Sequence, residues 1–204
     1  MKKVILTVAT VFAFGFANAQ DKQMSFGVKG GLNVATLTGD VENVKSLVGA
    51  HIGGFMEYKL NDKFAIQPEL LFSMQGAKSE FTFSDGFDTY NVESTVKLNY
   101  LNLPIMAKYY ATEKLAIEAG PQVGFLLSAK NEAEVSGFGS EEVDIKDETN
   151  SIDFGLNLGL GYDFTENISA GARYNFGLSN IDDSEGSDDT VNNGVFSVSV
   201  GYKF

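Results

Sequence analysis

The chain has 204 residues, no cysteine, no tryptophan, and 27 acidic against 15 basic side chains, for a net charge of −12. That length fits one barrel or sandwich domain and falls short of two. The lack of cysteine excludes a disulfide-stapled fold, and the negative charge excludes nucleic acid as a partner.

At the N-terminus Met1, Lys2 and Lys3 precede an apolar run from Val4 to Phe16 and the small-residue exit Ala17, Asn18, Ala19. This is the pattern of a secretory signal peptide over 1–19, cut before Gln20, with one domain over 20–204. Losing the two lysines takes the net charge to −14. The apolar run is too short to span a hydrocarbon core of about 30 Å, and no later stretch reaches the ~20 apolar residues of a membrane helix. If the protein crosses a membrane, strands carry it.

Alternation of apolar and polar residues predicts strands over 24–36, 48–60, 64–77, 97–110, 115–129, 151–164, 168–179 and 194–204. Each clears the roughly 9 to 11 residues needed to cross. The first carries Phe26-Gly27-Val28-Lys29-Gly30-Gly31-Leu32-Asn33. In the second, His51, Glu57 and Lys59 share the polar face, and the tight turn Asn61 to Lys63 follows. The third opens on Phe64-Ala65-Ile66-Gln67-Pro68-Glu69-Leu70-Leu71. Its alternation continues through Glu80 to Ser84 and resumes from Phe87 to Asn91 around Asp85-Gly86. That dipeptide favours a type I′ hairpin turn, so strands three and four are expected to project beyond a membrane.

The fourth strand holds Tyr100-Leu101-Asn102-Leu103-Pro104 and Lys108, and turns at Ala111 to Lys114 into the fifth, with Glu118 and Gln122. Alternation from Glu132 to Ile145 predicts a second projection. The sixth strand has the cleanest pattern: Ile152, Phe154, Leu156, Leu158, Leu160, Tyr162 and Phe164 on one face, Asp153, Gly155, Asn157, Gly159, Gly161 and Asp163 on the other. After the turn Thr165 to Asn167, the seventh carries Arg173, and the eighth ends on Gly201-Tyr202-Lys203-Phe204. Pro68 and Pro121 interrupt predicted strands, and each should mark a missing ladder bond or a bulge.

Four long connections, near 37–47, 78–97, 130–150 and 179–193, carry net charges of −1, −2, −5 and −5. They alternate with the three tight turns, so long and short connections fall at opposite ends. This predicts an all-β, eight-stranded antiparallel up-and-down transmembrane β-barrel with both chain ends at the short-turn rim.

The inverse, a soluble lipocalin-like ligand carrier, would turn the apolar face inward. Against it, Gly27, Gly31, Gly53, Gly120, Gly124, Gly155, Gly159, Gly161, Gly171 and Gly177 all fall on the polar face. A solvated strand is weakened by glycine, whereas the crowded interior of eight strands needs small residues. Tyr58, Tyr109, Tyr162, Phe164, Tyr202 and Phe204 gather on the apolar face near the short turns, as an interfacial girdle does. A soluble sandwich would instead bury them as core aromatics.

On these segments, and on Gly201-Tyr202-Lys203-Phe204, the whole mature chain resembles the porin-like outer-membrane β-barrel domain family, the small eight-stranded barrels of OmpA and OmpX type. The resemblance implies an outer-membrane location after export, contact with outer-membrane lipid and lipopolysaccharide, and insertion by the barrel-assembly machinery through the terminal strand, with Tyr202 and Phe204 as its signal. It implies no particular chemistry.

Inside such a barrel Glu57, Glu69, Lys108, Glu118 and Arg173 lie at comparable depth and are expected to form a charge network, since an unpaired charge in a narrow lumen is costly. That network reads as a polar plug; the alternative is a low-conductance porin-like channel. The single histidine, His51, would need Ser128 or Ser151 brought to it, and the spacing supplies no triad, so no catalytic residue or enzymatic activity is assigned.

Glu141, Glu142, Asp144, Asp147 and Glu148, and Asp182, Asp183, Glu185, Asp188 and Asp189, are oxygen donors of the kind calcium accepts. Their spacing fits no EF-hand loop, so they read as solvated loops, with no metal and no cofactor expected. Divalent ions bridging them to lipopolysaccharide phosphates stay an open alternative. Phe81, Phe83, Phe87 and Tyr90 make residues 80–92 a candidate ribbon for an extracellular partner. The expected protein is a monomer with a structural or surface-interaction role.

Overall fold

The computed structural model describes residues 23–41, 43–84, 89–135, 139–184 and 186–204. The predicted signal peptide and the Asp85-Gly86 turn lie outside them. Nine strands are described: β1 Met24–Gly39, β2 Val44–Lys59, β3 Phe64–Ser84, β4 Thr89–Tyr110, β5 Leu115–Val135, β6 Gly139–Asp144, β7 Ile152–Asp163, β8 Ile168–Gly177 and β9 Val191–Lys203. Eight of them pair antiparallel with their neighbours in the order β1-β2-β3-β4-β5-β7-β8-β9, and β9 closes back on β1. Closure removes sheet edges from the membrane zone, where an unpaired backbone group is most costly.

Strand partners can be followed round the ring from Met24 through Tyr58, Ile66, Ala107, Ala119, Leu158, Tyr174 and Phe196 to Val34. The path returns to β1 ten residues further along, which is the shear of the barrel. Leu156, Leu158 and Leu160 face outward at 41%, 48% and 52% exposure, while Glu118 is 6% exposed inside. The soluble carrier, with its apolar face inward, is thereby overturned.

All three tight turns use one device. Asn61 Oδ1 accepts from the backbone N–H groups of Lys63 and Phe64, and the hydroxyl oxygens of Thr112 and Thr165 do the same for Lys114 and Leu115 and for Asn167 and Ile168. A side-chain oxygen that satisfies two turn donors lets a strand reverse within a few residues. Beside these turns the girdle rings pack in pairs, Phe64 with Tyr109, Tyr162 with Phe164 and Tyr202 with Phe204, at centroid distances of 5.2, 5.0 and 5.7 Å.

At the opposite rim the strands run beyond the membrane-crossing spans, as the continued alternation predicts. β3 continues to Ser84, β4 begins at Thr89 and β5 reaches Val135. The return arm of the second projection is a separate strand, β6, which pairs with β5 over 130–135 before the 3₁₀ turn Lys146–Glu148 leads to β7. The prolines act by interruption without bulging: β2–β3 pairing skips Gln67 and Pro68, and β4–β5 pairing skips Gly120 and Pro121, with register unchanged across both gaps. The register shifts occur elsewhere, between Ser46 and His51 and between Asn99 and Tyr100.

Candidate functional site: a neutral charge lattice and an apolar rim cluster

The five charged residues predicted for the lumen form one connected set, four of them buried and Arg173 with a tenth of its side chain exposed. Lys108 Nζ donates to Glu57 at 2.8 Å and lies 3.4 Å from Glu118. The Arg173 guanidinium grips both oxygens of Glu69, at 2.9 and 3.0 Å, and reaches Glu118 at 3.0 Å. A planar fork matched to a carboxylate fixes both partners more firmly than a point charge would. Gln67 joins the two tiers, donating to Glu69 at 2.7 Å and accepting from Lys108 at 3.1 Å.

Three further members were not anticipated. Lys29 donates to Glu69 at 3.1 Å, and Lys203 bridges Glu57 at 3.2 Å and Asp163 at 3.1 Å. The complete lattice holds Glu57, Glu69, Glu118 and Asp163 against Lys29, Lys108, Lys203 and Arg173, so its formal charge is zero. The missed signal was parity, since Lys29 shares a strand face with Gly27 and Gly31, and Asp163 shares one with Asp153 and Asn157. Lys59, expected inside, instead ends β2 at the rim, exposed, with its ammonium 5.5 Å from the Tyr110 ring centroid.

Above the lattice the lumen is polar but largely uncharged. His51 Nδ1 lies 2.8 Å from Asn33 Oδ1, and Asn33 donates to Ser73 at 3.0 Å. The histidine is therefore held by an amide, with neither Ser128 nor Ser151 as its partner. Asn157 links Gln122 and Asn175, and Asp153 accepts from Ser179 at 2.8 Å and Asn193 at 2.9 Å. The interior also admits apolar bulk: Phe55 turns inward, and a Cβ at Gly27 would stand 2.4 Å from its ring. One cavity of about 60 Å³ lies in the lumen, bordered by Lys29, Asn33, His51 and Asn157.

At the long-connection rim an apolar cluster forms around Leu98, Tyr100, Leu126, Ala129 and Ile181. Ile181 comes from the connection between β8 and β9. Its backbone N–H donates to Val191 O at 2.8 Å, its carbonyl accepts from Asn150 N–H at 2.9 Å, and Thr149 bridges Asp182. Leu37, Val96, Ile145 and Val191 pack against the same cluster.

Outside, the projecting sheet β2–β6 pairs its charges across strands: Lys45 with Glu80, Lys78 with Glu93, Lys97 with Glu132 and Lys130 with Glu142. The hydrogen bond from Lys130 holds the Glu142 carboxyl below its ordinary range. Among the described residues no group of three or more His, Cys, Asp or Glu side chains converges as metal ligands would.

A closed antiparallel wall, apolar without and ionised within, with short turns at one rim and long connections at the other, is the build of a bacterial outer-membrane barrel. The chain belongs to the outer membrane protein beta-barrel domain family, whose sequence profile matches residues 16–183. It is similar in fold to Ail, the attachment invasion locus protein of Yersinia pestis. One structure, a complex with the heparin analogue sucrose octasulfate, matches at 16% identity over 89% of this chain and 99% of that one, with a TM-score of 0.52. A second Ail structure matches at 15% identity over the same shares, with a TM-score of 0.53. Neisserial surface protein A matches at 18% identity over 90% and 100% of the two chains, with a TM-score of 0.45. Comparison with curated protein sequences returned no match. The protein is thus a small barrel of the outer membrane.

Proposed function

We propose that this barrel is a closed, surface-presenting protein of the outer membrane, whose work is structural or interactive and not transport or catalysis. The observation that supports the reading is the presence of both a neutral lattice of eight charges in the lumen and an apolar cluster around Ile181 at the long-connection rim. A permeating ion would have to displace paired, desolvated charges and then cross an apolar constriction, and either step is unfavourable. Planar-bilayer recording of the refolded protein is expected to give a flat trace. Discrete current steps that change with Glu57→Ala or Arg173→Ala would overturn the closed lumen and make the protein a gated, low-flux channel.

The interactive part is assigned to the projection around residues 80–92, whose β3–β4 ladder extends to Ser84 and Thr89. Beyond Ser79, the last β3 residue paired with β2, the outer edge of β3 is open, and an open edge accepts a strand from another chain. Deleting residues 80–92 leaves Ser79 close to its own partner Ser94, so the barrel should still assemble. Binding of cells to a partner surface should then fall at least severalfold, and adhesion unchanged by the deletion would remove this role. The same reading keeps Tyr202 and Phe204, exposed side by side on the terminal strand, as the assembly signal.

A further inference from the structure

The four lysines of the projecting sheet form a pattern that neither the lumen nor the ribbon explains. Lys45 stands opposite Lys78 on β2 and β3, and Lys97 stands opposite Lys130 on β4 and β5, all on the outward face. Ten residues of shear over eight strands raise the line of paired residues by about 1.25 residues at each step from β1 toward β5. With that slope included, the four ammonium-bearing positions fall within about two residues of one height.

Directly below them the same face is apolar and exposed: Phe72 and Met74 on β3, Phe125 and Leu127 on β5. Their carboxylate partners Glu80, Glu93, Glu132 and Glu142 lie on the side away from the membrane. The band is one-sided, because from Asp147 to Phe204 the bases are Arg173 and Lys203, and both point into the lumen.

We propose that Lys45, Lys78, Lys97 and Lys130 form a lateral binding site for the phosphate groups of outer-leaflet lipid. The row sits where the apolar band gives way to water, which is the depth of the headgroups. Anionic headgroups attract lysines at that level, and the apolar surface beneath accepts the acyl chains. The existing ion pairs do not forbid this, since exposed pairs contribute little and exchange readily. A lysine ammonium has three donors, so it holds a carboxylate above and a phosphate below at once. A soluble phosphate would gain nothing from the apolar band, and for that reason the occupant is a lipid. The site is independent of whether the lumen conducts.

The test uses the full barrel refolded into phosphatidylcholine nanodiscs doped with lipid A or with lipid A stripped of both phosphates. Retained lipid is counted by mass spectrometry after extraction. The wild-type protein should retain the phosphorylated form about tenfold better, and the combined K45Q, K78Q, K97Q and K130Q variant should fall to less than about twofold. A control with K63Q and K114Q, at the short-turn rim, should keep the preference, and millimolar inorganic phosphate should not compete. Heat-modifiable migration on gels reports folding; if the fourfold variant does not fold, the K97Q and K130Q pair is measured and should lose most of the preference. Equal retention of the two lipids, or a preference that survives the substitutions, overturns the site. Displacement of the lipid by a soluble sulfated saccharide overturns it too, in favour of a soluble polyanion.

Discussion

Replacing Glu69 with alanine is expected to cost about 3 to 5 kcal/mol of stability, the range for removing one partner from a buried ion pair. Glu69 is 3% exposed and holds two cations, Lys29 and Arg173. Arg173 keeps Glu118, but among the described residues Lys29 has no second carboxylate, so it is the group left buried and uncompensated. Adding Lys29→Ala to Glu69→Ala should therefore recover part of the loss, because the stranded ammonium goes with it. Urea unfolding in lipid vesicles, followed by circular dichroism because the chain has no tryptophan, measures both variants. A loss below about 1 kcal/mol, or strict additivity in the double variant, would show that water and not the lattice solvates these charges.

Gly53→Val is expected to prevent the barrel from closing, at a cost above the ~3 kcal/mol upper end for ordinary overpacking. A Cβ at Gly53 would stand 1.9 Å from the Leu70 carbonyl oxygen and 2.8 Å from the Leu71 Cα. Both are backbone atoms of the neighbouring strand, so no rotamer change relieves the clash. Gly30 supplies the control. It lies on the outward face of β1, where a Cβ would come no nearer than 3.4 Å to His51 O, and Gly30→Val should fold normally. Heat-modifiable migration and protease resistance compare the two. Equal behaviour of the variants would contradict the assignment of the Gly53 face to the crowded interior.

The lattice was legible in part. Glu57, Glu69, Lys108, Glu118 and Arg173 could be placed inside because period two assigns each residue to a face and the tight turns fix its depth. Lys203 was legible as a terminal-strand residue but not as a bridge between Glu57 and Asp163, since that pairing spans the β9–β1 closure. Its geometry depends on the shear, which sums the registers of every strand pair. The apolar rim cluster escaped altogether. Ile181 sits in an acidic connection without periodicity, and only hydrogen bonds to Asn150 and Val191, distant from it in the chain, bring it over Tyr100 and Leu126.

The amino-acid sequence by itself determined the eight crossing strands, their direction, the lipid-facing and lumen-facing sides and the rim to which each connection belongs. All of these are local, set by alternation, turn residues and loop length within one or two strands. Tertiary structure alone decided which charge meets which, that the lattice is neutral, that the second projection returns through the separate strand β6, and that four lysines on four strands share one level. Those properties depend on how the sheet closes, and a cylinder's closure is a property of the whole ring that no single segment encodes.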